Sequence, residues 1–185
     1  MEIGEAIHQR RAVRSYTREA VTQMVVERLI DAAIQAPSAM NTQPWHFTVI
    51  RSAELLDRIS VASKAHMLKA VEQGELPVQL RDHLANPEFH IFYHAPAVIL
   101  ISVKRAAWAA EDAALAAQNL MLAAYAEGLG SCWIGFAQRW LETVEGRRVI
   151  DLSDDYVPVA PIIVGHAAVT PQPVPRKPPT IKWLG

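Results

Sequence analysis

Apolar residues recur along this chain with two periods, and the switches between them mark out its elements. Ile3, Ala6, Ile7 and Arg10 follow i, i+3, i+4, i+7 spacing and predict a short helix from Met1 to Arg10, its apolar stripe ending in an arginine. Val26, Leu29, Ile30, Ala33 and Ile34 make the next helical stripe. Thr22 is placed to cap that helix, which runs to about Gln35 before Pro37 stops it. The period then changes to two. Phe47 and Val49 alternate with His46 and Thr48, predicting a strand from His46 to Arg51 with Ile50 closing it. Ala53 to about Val71 reads as a weakly patterned helix through Leu55, Leu56, Ile59, Ala62, Met67 and Leu68. Gly74 and Pro77 break the chain after it, leaving a short helix from Val78 to Leu84. The run Ala97 to Val103 is the pattern of a strand buried on both faces.

Glu111 to Glu127 is the strongest helical stretch. Ala114, Leu115, Gln118, Met121, Leu122 and Tyr125 share one wide face, and Ala113, Ala116, Ala117, Leu120, Ala123 and Ala124 fill much of the rest. A helix apolar almost all round is buried on more than one side, so a core or a subunit interface is expected. Gly128 and Gly130 end it, and a short strand begins. Leu141 to Ile150 predicts a helix broken around Gly146. Tyr156 to Gly165 predicts a strand, and Pro158 and Pro161 near its start suggest a sheet edge or a twisted beginning. From Thr170 onward, Pro171, Pro173, Pro175, Pro178 and Pro179 impose an extended, stiff path, although Ile181, Trp183 and Leu184 favour burial.

Composition narrows the class. The 185 residues fit one domain with an extension, and 51% hydrophobic against 20% charged is a globular balance. With 18 Lys+Arg against 19 Asp+Glu, the net charge of −1 offers no general basic field for nucleic acid or an anionic membrane. The N-terminus lacks the apolar core of a secretory signal, and the longest strongly apolar run, Ala95 to Val103, is too short to span a bilayer. One cysteine, Cys132, excludes an internal disulfide and suits a reducing cytosol, so a cytoplasmic location is expected. No cationic neighbour of Cys132 is visible in sequence, so it reads as packing. His90 and His94 are four apart, but Pro96 argues against a helix there and no cysteine or clear carboxylate partner accompanies them. Ordinary histidines, and no metal site, are expected.

Three stretches carry candidate chemistry. In Arg10-Arg11-Ala12-Val13-Arg14, the guanidinium forks match phosphate oxygens, against the plainer reading of a solvated basic turn. Arg10 and Arg14 would point the same way if the helix continued. Ala36-Pro37-Ser38-Ala39-Met40-Asn41-Thr42-Gln43-Pro44-Trp45-His46-Phe47 presents uncharged donors and acceptors suited to the edge of a flat heterocycle; its plainer reading is a helix-to-strand turn. Gly128-Leu129-Gly130-Ser131-Cys132-Trp133-Ile134-Gly135-Phe136 is not a dinucleotide fingerprint, because helix precedes glycines and strand rather than the reverse. It also lacks the lysine of a P-loop. The proline-rich tail by itself fits a disordered end or a ligand for a proline-reading domain.

The arginine run and the 36–47 loop, in this order and at this separation, resemble the nitroreductase family of FMN-dependent oxidoreductases. The loop matches the family's A-P-S-x-x-N-x-Q-P-W-x-F at every fixed position, and Gly128 to Gly135 is similar to its G-x-G-(S/T)-x-W-(I/M)-G stretch. Ala12 stands where the family often has serine, which removes one hydroxyl contact to the phosphate. The resemblance covers essentially the whole chain, although residues 64–94 carry none of it.

That resemblance implies an α+β, nitroreductase-like fold: a central mixed, mostly antiparallel sheet flanked by helices. Residues 1–170 would form a single FMN-binding domain, and residues 171–185 an arm wrapping the partner of a homodimer. It implies FMN as cofactor, NADH or NADPH as reductant, and ping-pong hydride transfer through the flavin N5 to a nitroaromatic, quinone or similar small acceptor. The cofactor carries the reaction, so no protein residue is expected to be catalytic. Arg10, Arg11 and Arg176, with Lys177, would neutralise the phosphate near Ala12, and Arg14 would face the ribityl or pyrimidine side. Pro37, Ser38, Asn41 and Gln43 would frame the isoalloxazine, the Pro37-Ser38 part across the dimer. The backbone of Trp133, Ile134 and Gly135 would pass close to the flavin, with an N–H near Ile134 or Gly135 reaching N5. Two alternatives share the fold: specialised flavin chemistry such as reductive dehalogenation, flavin fragmentation or dehydrogenation, and a non-catalytic flavin-binding protein.

Overall fold

The computed structural model describes residues 2–185; Met1, placed in the first helix by the sequence pattern, lies outside the described residues. The chain forms α1 (Ile3–Gln9), α2 (Gln23–Ile34), β1 (Trp45–Ile50), α3 (Ala53–Glu72), α4 (Arg81–Ala85), β2 (Ala97–Lys104), α5 (Ala109–Ala126), β3 (Gly130–Trp133), α6 (Gly135–Leu141), α7 (Val144–Val149) and β4 (Tyr156–Gly165). The strands pair in the order β1-β2-β4-β3, antiparallel throughout. Among the described residues, a parallel component survives only as an isolated bridge between Ala12 and Ser131. The α+β fold class read from the sequence is the one observed.

Period-two alternation divides β2 between two cores. Val98 and Leu100 face one side with Ile59, Leu84, Phe92, Trp140 and Leu141, beneath α3 and α6. Ile99, Ile101 and Val103 face the other with Leu29, Ala117, Leu120 and Ala124, beneath α2 and α5. Each fully buried Leu or Ile contributes about 1.5–3 kcal/mol, so a strand buried on both faces anchors the sheet.

Several expectations need correction. β4 is an inner strand, not an edge, although it holds two prolines. Pro161 directs its carbonyl toward the β3 side, where it accepts the Ile134 N–H at 2.8 Å, so its missing N–H costs no ladder bond to β2. Pro158 lies at a bulge, where the pairing slips between Ile101 and Ser102. In α5 the buried face is the small one: Ala113, Ala116, Ala117, Leu120 and Ala124 are inside. Ala114, Leu115 and Gln118, on the face with the larger side chains, are exposed in the single chain. Small residues let the helix axis approach the sheet and α2 closely, and that decides the orientation.

The break expected at Gly146 falls instead at Glu142–Thr143; Gly146 lies inside α7, whose Thr143 cap accepts its N–H at 3.1 Å. A side chain there would meet the Trp140 carbonyl oxygen at 2.2 Å. Thr22 does cap α2, accepting the Val25 N–H at 3.3 Å. Only Ala6 of α1 is buried, Ile3 and Ile7 being exposed, as is Ile34 of α2. The tail carries no helix or strand, and Trp183 is 87% exposed, so the burial its residues favour does not occur within one chain. Among the described residues, no helix is long and apolar enough to cross a membrane.

Candidate functional site

The site begins where the arginine run meets β3. α1 ends at Gln9, and Arg10 (φ −54°, ψ 131°) leaves helical geometry, so the run does not continue as a helix and the i, i+4 alignment of Arg10 with Arg14 does not arise. Instead the run lies along the edge of β3: the Val13 N–H donates to the Ser131 carbonyl at 3.1 Å, beside the Ala12–Ser131 bridge. Gly130 makes this possible, because a Cβ there would sit 2.6 Å from a Val13 methyl. The Tyr16 hydroxyl donates to the Val13 carbonyl at 2.7 Å and fastens the other end of the run. Two stretches far apart in the sequence are thereby joined.

Of the cavities along this seam, two share Arg14. One, of about 430 Å³, is lined by Arg10, Arg11, Ala12, Arg14 and Arg176, together with Pro171, Gln172 and Val174. No carboxylate lines it. Burial, then the neighbouring Arg176 and Arg11 guanidiniums, hold the Arg10 pKa below its ordinary value. Arg11 turns partly inward, donating from Nη1 to the His8 and Arg10 carbonyls at 2.7 and 2.9 Å, while its buried Nε has no partner. A crowd of cations without a counter-charge is chemically a receptor for an anion such as phosphate. Arg176 is thus brought to the arginine run from the tail; Lys177 is exposed and does not line the cavity.

The second cavity, of about 330 Å³, is lined by Arg14, Met67, Tyr93, Trp133, Ile134, Gly135 and Phe136. Ile134 is buried and its N–H is taken by Pro161, so Ile134 is not the free donor of the pair. Gly135 opens α6, where a first-turn N–H has no intrahelical acceptor. A Cβ on Gly135 would meet nothing within 4 Å, so the backbone is open to the cavity. Cys132 does have cationic neighbours, contrary to the sequence reading, since Arg14 and Arg10 both favour its thiolate; burial outweighs them and pushes the thiol pKa up. Its role as packing stands.

The 36–47 loop is built differently. Met40, Asn41 and Gln43 all have left-handed backbone conformations, with φ of 53°, 53° and 47°. Such conformations are costly for residues other than glycine, and the loop is tied at several points. The Ser38 Oγ accepts the Gln43 N–H at 2.9 Å, and the Thr42 hydroxyl donates to the Ala39 carbonyl at 3.0 Å. Asp112, a buried carboxylate of α5, accepts the Ala39 N–H at 2.9 Å, and its carbonyl accepts the Trp45 indole N–H at 3.2 Å. Sequence reasoning missed Asp112, because nothing local marks it among the charges of a helix start. Asn41 and Gln43 are exposed, and Pro37, Ser38, Asn41 and Gln43 line neither arginine cavity. One chain therefore brings together Arg10, Arg11, Ala12, Arg14, Arg176, Trp133, Ile134 and Gly135, and leaves the loop residues apart from them.

Met67 and Tyr93 were also missed, while Phe136 lies within the 128–136 stretch but was given no role. Met67 and Tyr93 come from the 64–94 segment, which bears no motif. In that segment His90 and His94 stack with ring centroids 4.3 Å apart, and Asp57 supplies the carboxylate that the sequence did not reveal. The His90 Nδ1 accepts the Phe92 N–H at 3.2 Å. Its Nε2 lies 3.2 Å from the Asp57 carboxylate. Burial and then His94 lower the His90 pKa, opposed by Asp57.

The sequence profile of the nitroreductase family matches residues 7–166, and the chain belongs to that family. Among its relatives, the FMN reductase (NADPH) of Bacillus subtilis is 28% identical over 193 residues, covering 94% of this chain and 69% of the relative. A solved nitroreductase with bound FMN from Bacteroides fragilis covers 100% of both chains with a TM-score of 0.88 at 25% identity. An FMN-dependent nitroreductase from Clostridium difficile covers 99% of both at a TM-score of 0.81 and 26% identity.

Proposed function

We propose that this chain is an FMN-dependent NAD(P)H oxidoreductase that reduces nitroaromatic, quinone or similar electron-poor acceptors and works as a homodimer. The observation that carries the reading is the pair of adjoining cavities: arginines without a counter-charge at one end, and the open backbone of Gly135 beside Trp133 and Phe136 at the other. They fit a ligand with an anionic end and a flat ring system. When bound, FMN supplies reversible two-electron chemistry at its isoalloxazine, which no side chain here offers.

The chain's own part is to bind and orient. Arg10, Arg11 and Arg176 neutralise the phosphate, with Lys177 near it, and Ala12 leaves that grip to guanidinium and backbone. Arg14, common to both cavities, marks the passage from phosphate to ring. The Gly135 N–H points a donor at the ring edge. Pro37, Asn41 and Gln43 are exposed and Ser38 half-buried in one chain, and this loop completes the partner's site. Residues 171–185 form the arm that carries Arg176 and covers the partner; residues 1–170 form the domain. A cytoplasmic location suits the nicotinamide donor.

The test is the visible absorption spectrum of purified protein before and after anaerobic NADH or NADPH. Flavin bands that bleach support the reading. Bands that persist under both donors sink the oxidoreductase, and no flavin after reconstitution with FMN sinks the cofactor.

A further inference from the structure

The strongest unexplained feature lies outside every motif. Tyr93 and His94 are consecutive residues in left-handed conformation, at φ 52° and 51°. For a bulky aromatic residue this is an outlier that persists only when surrounding structure enforces it. Here the enforcement is visible. Ser60 Oγ accepts the Ile91 N–H at 3.1 Å, and Lys64 Nζ donates to the Asn86 and Phe89 carbonyls at 2.6 and 2.8 Å. His90 faces Asp57 of the same helix, α3, and the Tyr93 N–H closes the turn on the His90 carbonyl at 2.8 Å. Three positions of α3 therefore clamp a turn whose outcome is to direct Tyr93 into the cavity shared with Arg14 and Gly135.

The ring of Tyr93 is positioned as firmly as its backbone. Phe89 packs edge-on against it at 5.8 Å and also meets Phe136 at 6.1 Å, so the apolar side of the phenol is held. Burial raises the phenol pKa and Arg14 opposes that rise, so the group is neutral and able to donate. A neutral O–H beside the Arg14 guanidinium suits a carbonyl or imide edge of a flat heterocycle.

We propose that Tyr93 is a ligand-contacting residue of this site, gripping with Arg14 the polar edge of the ring system seated against Trp133–Gly135. This rests on the FMN reading above. The double-histidine run then has a positioning role: it holds Tyr93 in place.

The test is Tyr93→Phe in the full-length protein, which keeps the ring that packs on Phe89. The dissociation constant of FMN is measured by fluorescence quenching, along with the absorption maximum of the bound oxidised flavin and the thermal midpoint of the apoprotein. A three- to tenfold rise in the constant, a shifted maximum and an unchanged apoprotein midpoint are expected. Wild-type affinity with an unshifted maximum would overturn the assignment. So would a rise confined to the acceptor KM, which puts the phenol on the substrate instead. Wild-type protein that binds no FMN would refute the cofactor reading itself, a result distinct from either.

Discussion

At the residue scale, the site depends on a few atoms whose surroundings are closely defined. Arg10 is held below its ordinary pKa by burial and two like-charged neighbours, and a bound phosphate would relieve that repulsion. A charge-assisted hydrogen bond is worth about 1.5–3 kcal/mol. Arg10→Ala should therefore weaken FMN binding roughly ten- to a hundredfold, read by fluorescence titration; an unchanged constant would remove Arg10 from the site. Gly130 is constrained sterically rather than electrostatically. A methyl group there collides with Val13, and overpacking costs about 1–3 kcal/mol. Gly130→Ala should lower the thermal midpoint by ~2–4 °C per kcal/mol in a protein of this size, with loss of flavin as the arginine run shifts.

At the element scale, two helices hold two irregular stretches, the 38–43 loop and the 86–94 turn. α5 ties the 38–43 loop through the Asp112 carboxylate. Asp112→Ala leaves the Ala39 N–H without its partner, at a cost of about 1–3 kcal/mol, whereas Asp112→Asn keeps an acceptor and should cost less. A denaturant midpoint that falls equally for both would show that the acceptor is not what matters. α3 ties the 86–94 turn. Burial depresses the His90 pKa, so the unfolded chain binds its proton more readily than the folded one. Stability from this group is complete above the unfolded value of about 6.5 and is lost as pH falls toward the lower folded value. Thermal midpoints measured below that pH should decline, and His90→Gln should flatten this part of the profile.

At the scale of the whole molecule, one chain exposes Ile3, Ile7, Leu115, Ile181, Trp183 and Leu184. It also separates the 38–43 loop from the arginine cavities. A second copy would account for both. Deleting residues 171–185 should lower dimer stability and flavin content together, measured by sedimentation and by absorbance. A truncated protein that stays a flavin-loaded dimer would contradict the arm.

Much of this was legible in the chain itself. Periodicity located α2, β1, α3, β2 and β4 to within a residue or two, because burial on one face or two is written directly into residue spacing. The arginine run and the polar loop were less plain, since each by itself also fits a basic turn or a helix-to-strand turn; their order and separation, through the family resemblance, pointed to a flavin site. What tertiary structure alone decided depends on contacts distant in sequence. β4 became an inner strand because its prolines fall at a bulge and at the position where β3 ends. α5 turned its alanines inward because close packing, not total hydrophobicity, sets which face meets the sheet. Met67 and Tyr93 line the Gly135 cavity and Asp112 ties the 38–43 loop, each through contacts distant in sequence, and no local pattern encodes a partner that lies so far along the chain. Spacing along the chain records which face is buried; only the folded chain decides what that face is buried against.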